Sequence, residues 1–293
     1  MKVHFPQKVN RYILLFGEVW WGLALLISCT QHRLPISSSK PYEVMVIGDQ
    51  DSMLTHQLIE DAPGLPQSEP LFDVYNQKQL EGDNKLSRAI VIYDKKVKHL
   101  TISTNQYAEP QVVIRTNGKE KEELQKKLTT FEYAVRLDYL KKHHNLEYEK
   151  LIKKQFNIDM LIPSDMRSIK KSNEFIWISN NRAEAMQNII ICKGDIDEQL
   201  RTNMKGETDS MYMVLHPIEG KNYGLWEMKG DAMGGAYRML NIKAVKDKKS
   251  ANIQHSALSI IAFVYAPGTK KRNLMRQLEA VLYNTNKSNN YGK

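Results

Sequence analysis

Residues 111–143 read QVVIRTNGKEKEELQKKLTTFEYAVRLDYLKKH, and two periodicities meet inside them. The first part is rich in Val and Ile up to Thr116, the chemistry of a strand, and Asn117-Gly118 closes it. Beyond the glycine the period changes. Leu124, Leu128, Phe131 and Val135 fall at i, i+4, i+7 and i+11, one apolar stripe on a helix over residues 119–143. Glu122–Lys126, Glu123–Lys127 and Glu132–Arg136 are spaced i,i+4 with the acid first, each pair contributing roughly 0.2–0.5 kcal/mol on a helix surface. A run of strands that ends in a long amphipathic helix points to α+β architecture rather than to strict βαβ alternation.

The same reading extends both ways. Upstream, residues 42–47 (YEVMVI) form a strand ending at Gly48-Asp49, and a short helix fits residues 50–60. Residues 62–70 (APGLPQSEP) hold three prolines and are irregular. Strands follow at 71–75, 88–93, 98–103 and 111–116. Downstream, a second helix covers 146–156, and Pro163 closes the first half. The second half carries strands at 175–178, 187–192, 211–215, 223–229, 236–245 and 257–265. A polar stretch at 195–205 is compatible with a helix. The last helix, 269–284, puts Leu274, Leu278, Val281 and Leu282 on one face. The expected fold is α+β: mostly antiparallel sheet with helices packed on it, in two similar lobes each ending in helix. The lobes span 41–168 and 169–293, or form one continuous domain. No sequence identity links them.

Ahead of the lobes, Lys2, Lys8 and Arg11 precede an apolar core from Val19 to Ile27, and Leu26-Ile27-Ser28-Cys29 has the form of a lipobox. Residues 1–28 read as a lipoprotein signal peptide, Cys29 as the lipidation site, and residues 29–40 as a flexible tether spanning on the order of 18 Å. An uncleaved anchor fits less well. A spanning helix needs roughly 20 apolar residues, and Glu18 at its centre would cost about 2.5–3.5 kcal/mol. No acidic run follows Cys29, so the expected address is the periplasmic side of the outer membrane.

The 293 residues carry 42 Lys and Arg against 33 Asp and Glu, a net charge of +9. Residues 1–28 hold three of the cations and one acid, so the remainder carries +7. Such a balance suits membrane anchoring beside anionic lipid or glycan, or an acidic envelope protein. No nucleic-acid partner is expected, because the cations are scattered among acids and the leader points to export. Cys192 is the only cysteine besides Cys29 and ends the strand-like run Asn188-Ile189-Ile190-Ile191-Cys192, a core position.

Three further segments are KPYEVMVI (residues 40–47), GLWEMKGDAMGGAY (residues 224–237) and AFVYAPGTKKR (residues 262–272). With the lipobox they resemble an uncharacterised family of Bacteroidota lipoproteins known only as a domain of unknown function. Ala236 stands where that family's motif has proline. The resemblance implies an address and no chemistry, so no catalytic residue is carried over.

Two places stand out as candidate sites. Gly230, Asp231, Gly234 and Gly235 lie between two strands, as a ligand loop or as a tight hairpin without a ligand. Lys270, Lys271 and Arg272 follow Thr269, a good N-cap, so three cations would occupy the first turn of the last helix against its macrodipole. They read either as a solvated helix end or as a site for an anionic envelope group or acidic partner surface. His143-His144 are adjacent and do not form a metal pair. His216 and His255 are single, and Trp177 and Trp226 sit in strands, as core or as a binding platform. No catalytic set, metal site or cofactor is expected. The expected function is binding or scaffolding by a non-enzymatic envelope lipoprotein; the alternative is an envelope hydrolase acting on glycan or peptide.

Overall fold

Two sheets organise the chain. The computed structural model describes residues 33–242 and 258–285, so the leader, Cys29 and His255 lie outside the described residues. The first sheet holds β1 (Glu43–Ile47), β2 (Asp73–Gln77), β3 (Ala89–Tyr93), β4 (Thr101–Thr104) and β5 (Val112–Thr116) in the order β2-β1-β3-β5-β4. The second holds β6 (Ser168–Lys171), β7 (Phe175–Ser179), β8 (Met186–Lys193), β9 (Met213–Pro217), β10 (Tyr223–Met228), β11 (Gly234–Ile242) and β12 (Leu258–Tyr265). Its order is β6-β7-β8-β12-β11-β10-β9. The described helices are α1 (Met53–Leu58), α2 (Lys121–Lys142), α3 (Leu146–Phe156), α4 (Ile196–Asn203) and α5 (Arg272–Asn284). None of them is long and apolar enough to cross a membrane.

The fold is α+β with mostly antiparallel pairing, yet the two sheets differ. Every pairing in the second sheet is antiparallel. In the first, β1 pairs parallel with β2 and β3, and β3 pairs parallel with β5; only β4–β5 is antiparallel. The chain between β1 and β2 is long enough for the crossover that parallel strands need. Parallel strands are buried on both faces and so read as continuous apolar runs. Val44, Val46, Val91, Val112 and Ile114 face α1 and α2, while Ile47, Ile90 and Val113 face Leu80 and Tyr107 on the other side. The likeness of element order in the two halves therefore does not extend to pairing. The edge strand β6 carries no signal in the sequence, since Ser168-Ile169-Lys170-Lys171 is polar and mostly exposed.

Helix α2 links the lobes. At 1.5 Å per residue its 22 residues span about 33 Å. Leu124 and Leu128 are buried in the first core, each stabilising by about 1.5–3 kcal/mol, while Leu140 is buried in the second. Tyr148, Ile152 and Phe156 of α3, then Ile158, Met160, Ile162 and Met166, also pack into the second core. The packing boundary thus falls within α2, ahead of the residue-168 division expected from sequence, because α3 buries its apolar face on the second sheet. Asn145 caps α3 by accepting from the Tyr148 N–H at 3.2 Å, and Asn157 ends it in the left-handed region.

One face of the second sheet is covered by α3 and α5 through Ile178, Ile189, Ile260, Leu278 and Val281. The other is covered by α4 and the residue after it, through Leu200 and Met204 over Cys192, Met213, Trp226 and Phe263. The stretch expected as a tether is docked from Pro35 onward. Pro35 O accepts from the Glu109 N–H at 2.9 Å, and the Ser38 N–H donates to Leu86 O at 2.7 Å. Backbone hydrogen bonds at these positions hold the segment along the first lobe instead of leaving it a free coil.

Candidate functional site

The loop between α1 and β2 joins the lobes and defines one side of the site. Glu69, 4% exposed, accepts from the backbone N–H groups of Lys271 at 2.6 Å and Arg272 at 2.9 Å. Arg272 is buried, donating to Asp73 at 2.6 Å and to Pro70 O at 2.5 Å. Lys270 reaches the same Asp73 carboxylate at 3.1 Å. Burial opposes charge on Asp73, but its bonds to Arg272 and Lys270 outweigh that and hold its carboxyl below the usual range. Nearby, Arg238 of β11 donates to Pro63 O at 2.8 Å and to Glu279 of α5 at 2.8 Å.

These contacts correct the expectation for Lys270, Lys271 and Arg272. The helix begins at Arg272, and Thr269 is not its cap; the Thr269 hydroxyl donates instead to Glu184 O at 3.2 Å. The cations sit at a positive helix end because the anion there is the chain's own. Lys271 and Arg272 are buried, so of the three only Lys270 is open to an outside partner.

Behind this seam, α2 and α5 run past each other and leave a cleft of about 670 Å³. Gln125, Thr129, Thr130 and Tyr133 line it from α2, and Arg276, Glu279 and Tyr283 from α5. Tyr42 sits at its floor with φ 65°, a strained value for a non-glycine residue. The guanidinium carbons of Arg272 and Arg276 lie 5.8 and 5.9 Å from its ring centroid, and burial pushes its hydroxyl pKa up. Beyond Tyr42 and Arg276 lies an inner hollow of about 180 Å³, lined also by Arg88, Glu132, Arg136, Tyr139, Asn273 and Gln277.

The expected Glu132–Arg136 pair does not form. Arg88 donates to both Glu132 oxygens at 2.9–3.1 Å, and Glu132 is 2% exposed. A bidentate buried bond outcompetes a single surface pair. The Glu123–Lys127 pair forms as expected, at 3.0 Å. Nothing in local spacing signals the cleft, since its two walls lie more than a hundred residues apart in the chain.

Gly230 and Asp231 lie in the β10–β11 hairpin turn, and Gly234 and Gly235 open β11. Trp226 lies opposite Gly235 in register, and its indole N–H crosses Gly235 to donate to Val264 O on β12 at 3.1 Å. A Cβ on Gly235 would stand 2.1 Å from Val264 O and 2.8 Å from Trp226 Nε1. The glycine makes room for that crossing. Trp226 is buried edge-on against Phe263 at 5.0 Å, which removes it as an open platform. Trp177 is part-buried and donates to Asn188 Oδ1 at 3.0 Å. Beside the hairpin a hollow of about 530 Å³ is lined by His216, Glu227 and Asp231, among others. His216 Nε2 is 3.3 Å from Glu227 Oε1, both more than half exposed. Asp231 Oδ1 is taken by the Ala232 N–H at 2.5 Å.

Cys192 is buried on the α4 face of the second sheet and does not line the hollow that His216 and Asp231 share, and burial pushes its thiol up to about 11. His143 stacks on Tyr139 at 4.1 Å, while His144 pairs with Glu149 at 2.8 Å. Among the described residues no three His, Cys, Asp or Glu come together in a group able to hold a metal ion.

Two family profiles match the chain, one on each lobe. Residues 37–154 match a domain of unknown function (DUF8532), and residues 145–284 match a second domain of unknown function (DUF4837). They overlap within α3, the first element that packs wholly on the second sheet. No curated protein and no solved structure matches. The chain is similar to two domains without assigned function, in keeping with the class of family its motifs resemble.

Proposed function

We propose that this protein is a cell-envelope lipoprotein, anchored through Cys29 at the periplasmic face of the outer membrane, and that it acts as a non-enzymatic binding module whose ligand lies between α2 and α5. The lipobox at Leu26–Cys29 supports the address, and the excess of cations suits an anionic surrounding. The cleft carries the functional reading. Clefts at the junction of two units are common ligand sites. This one offers hydroxyls from Thr129, Thr130 and Tyr283 around the Tyr42 ring, while the Gln125 amide donates to Gln57 O and Glu60 at its edge. Glu122 and Glu279 both line the cleft, and Glu279 is held by Arg238 and Arg276 at 2.8 and 2.9 Å. A carboxylate so engaged positions its partners and is poorly placed to shuttle protons. Alternating polar groups and aromatic faces suit a glycan bearing acidic groups.

A second reading rests on the hollow beside the hairpin. His216, Glu227 and Asp231 share that lining, the kind of grouping a hydrolase acting on glycan or peptide would use.

A photo-crosslinking side chain at position 130 in intact cells separates the two readings, with one at position 231 as the comparison. The binding reading expects an adduct with envelope glycan from position 130, lost when Cys29→Ala releases the protein from the membrane. Adducts from position 231 alone, with turnover abolished by His216→Ala, would replace it with the hydrolase.

A further inference from the structure

The inner hollow gathers more positive than negative charge. Its lining brings Arg88, Arg136 and Arg276 around one carboxylate, Glu132. Arg88 occupies both oxygens of that carboxylate. Arg276 donates to Glu279 at 2.9 Å, but Arg238 holds the other oxygen of the same carboxylate at 2.8 Å, so two guanidiniums share one anion. Arg136 has no such partner. Its Nε is buried and, among the described residues, makes no hydrogen bond. Its guanidinium carbon lies 5.1 Å from the Tyr139 ring centroid. Asp165 acts on it through its field, but that carboxylate bonds Arg182 at 3.1 Å. A buried donor on a charged group is costly when left unpaired. An ordered water would satisfy the N–H without balancing the charge.

We infer that the inner hollow is an oxyanion site, taking the carboxylate or phosphate group of a ligand whose body lies in the outer cleft. The inference rests on the reading of that cleft as the ligand site. The planar guanidinium of Arg136 matches such a group in geometry. Tyr42 and Arg276 line both hollows, so the two are neighbours. The volume of about 180 Å³ admits an acid group with a few attached atoms and no more. Gln277 adds an amide donor on the α5 side, the Asn273 amide being engaged with Pro41 O at 3.3 Å, and Tyr42 and Tyr139 wall the hollow with rings.

Thermal unfolding of the purified full chain tests this, with inorganic phosphate, acetate and glucuronate titrated separately at constant ionic strength set by sodium chloride. At least one should raise the melting temperature by about 2–4 °C near saturation. The response to phosphate against the two carboxylates tells which oxyanion the site takes. Arg136→Gln should weaken that response about tenfold in apparent Kd. The same variant should melt no lower than the parent without anion, since it removes an unpaired buried donor. Gln277→Glu, which places a carboxylate in the lining, should abolish the response by charge repulsion even if Arg136→Gln folds poorly. Lys221→Gln, at an exposed turn outside the hollow, should respond like the parent. No response to any of the three anions, or an equal response in Arg136→Gln and Gln277→Glu, would overturn the inference. The titration reads the inner hollow alone. A glycan adduct from position 130 without an anion response would sink the oxyanion site and leave the binding module standing.

Discussion

The Glu69 carboxylate accepts a 2.9 Å hydrogen bond from the backbone N–H of Arg272, 203 residues further along the chain. It takes the Lys271 N–H as well, so the first turn of α5 (Arg272–Asn284) is capped by a side chain from the loop that precedes β2. Helix starts usually find their acceptor two or three positions away, in a Ser, Thr, Asn or Asp. Here the acceptor belongs to a distant segment, and capping therefore also fastens the two lobes.

Glu69→Ala should destabilise the protein by about 1–3 kcal/mol, because two buried N–H donors lose their acceptor. Urea unfolding followed by tryptophan fluorescence reads this well, since Trp177 and Trp226 both report on the second sheet, which α5 covers. A loss in the range of ordinary surface changes, about 0.5 kcal/mol or less, would mean that the cap is not formed.

Asp73 ties stability to acid. Its folded pKa is held below the unfolded value, so its contribution is complete above the unfolded pKa of about 3.9 and fades as pH falls through the folded one. Asp73→Asn should therefore flatten the loss of stability below about pH 4. At neutral pH it should cost roughly 3 kcal/mol by leaving the Arg272 guanidinium, 2% exposed, without its anion. Urea melts from about pH 5 to pH 2.5 would show parallel curves for the two proteins if the ion pair contributed nothing.

Gly235→Ala should cost about 1–3 kcal/mol or more, as overpacking does, since the new Cβ meets Val264 O at 2.1 Å and the strands must part. The Trp226 emission should shift as its indole leaves Val264. Unchanged emission and stability would contradict the crossing of the indole over the hairpin.

Cys192 should resist alkylation in the folded protein at about pH 8, because the thiolate is the reacting species and burial pushes the pKa up to about 11. Reaction should follow unfolding in denaturant. Rapid labelling of the native chain would place Cys192 outside the core.

The periodicities in the sequence carry most of the elements: the stripe of α2 (Lys121–Lys142), the paired helices flanking residue 145, and the strands of both sheets apart from β6 lie within a few residues of their expected bounds. What they cannot carry is partner choice. Alternation says that Val44, Val91 and Ile114 are buried, yet the direction in which their strands pair depends on the crossover path. Glu132 sits at i,i+4 from Arg136, but Arg88, 44 residues upstream, takes it. The cations at 270–272 are legible as a breach of the helix-dipole rule, while the anions that resolve it, Glu69 and Asp73, lie about 200 residues away. The cleft is invisible for the same reason. Its walls come from two helices, and only their tertiary contact makes it a site.

Hydrogen exchange read by mass spectrometry is the most direct test of the binding cleft. The purified full chain would be compared with and without a dialysable small-molecule extract of the cell envelope. A ligand seated between the helices should slow exchange together in residues 122–133 and 276–283, leaving the 227–235 hairpin unchanged. Protection confined to that hairpin, or none in either helix, would contradict the cleft as the binding site.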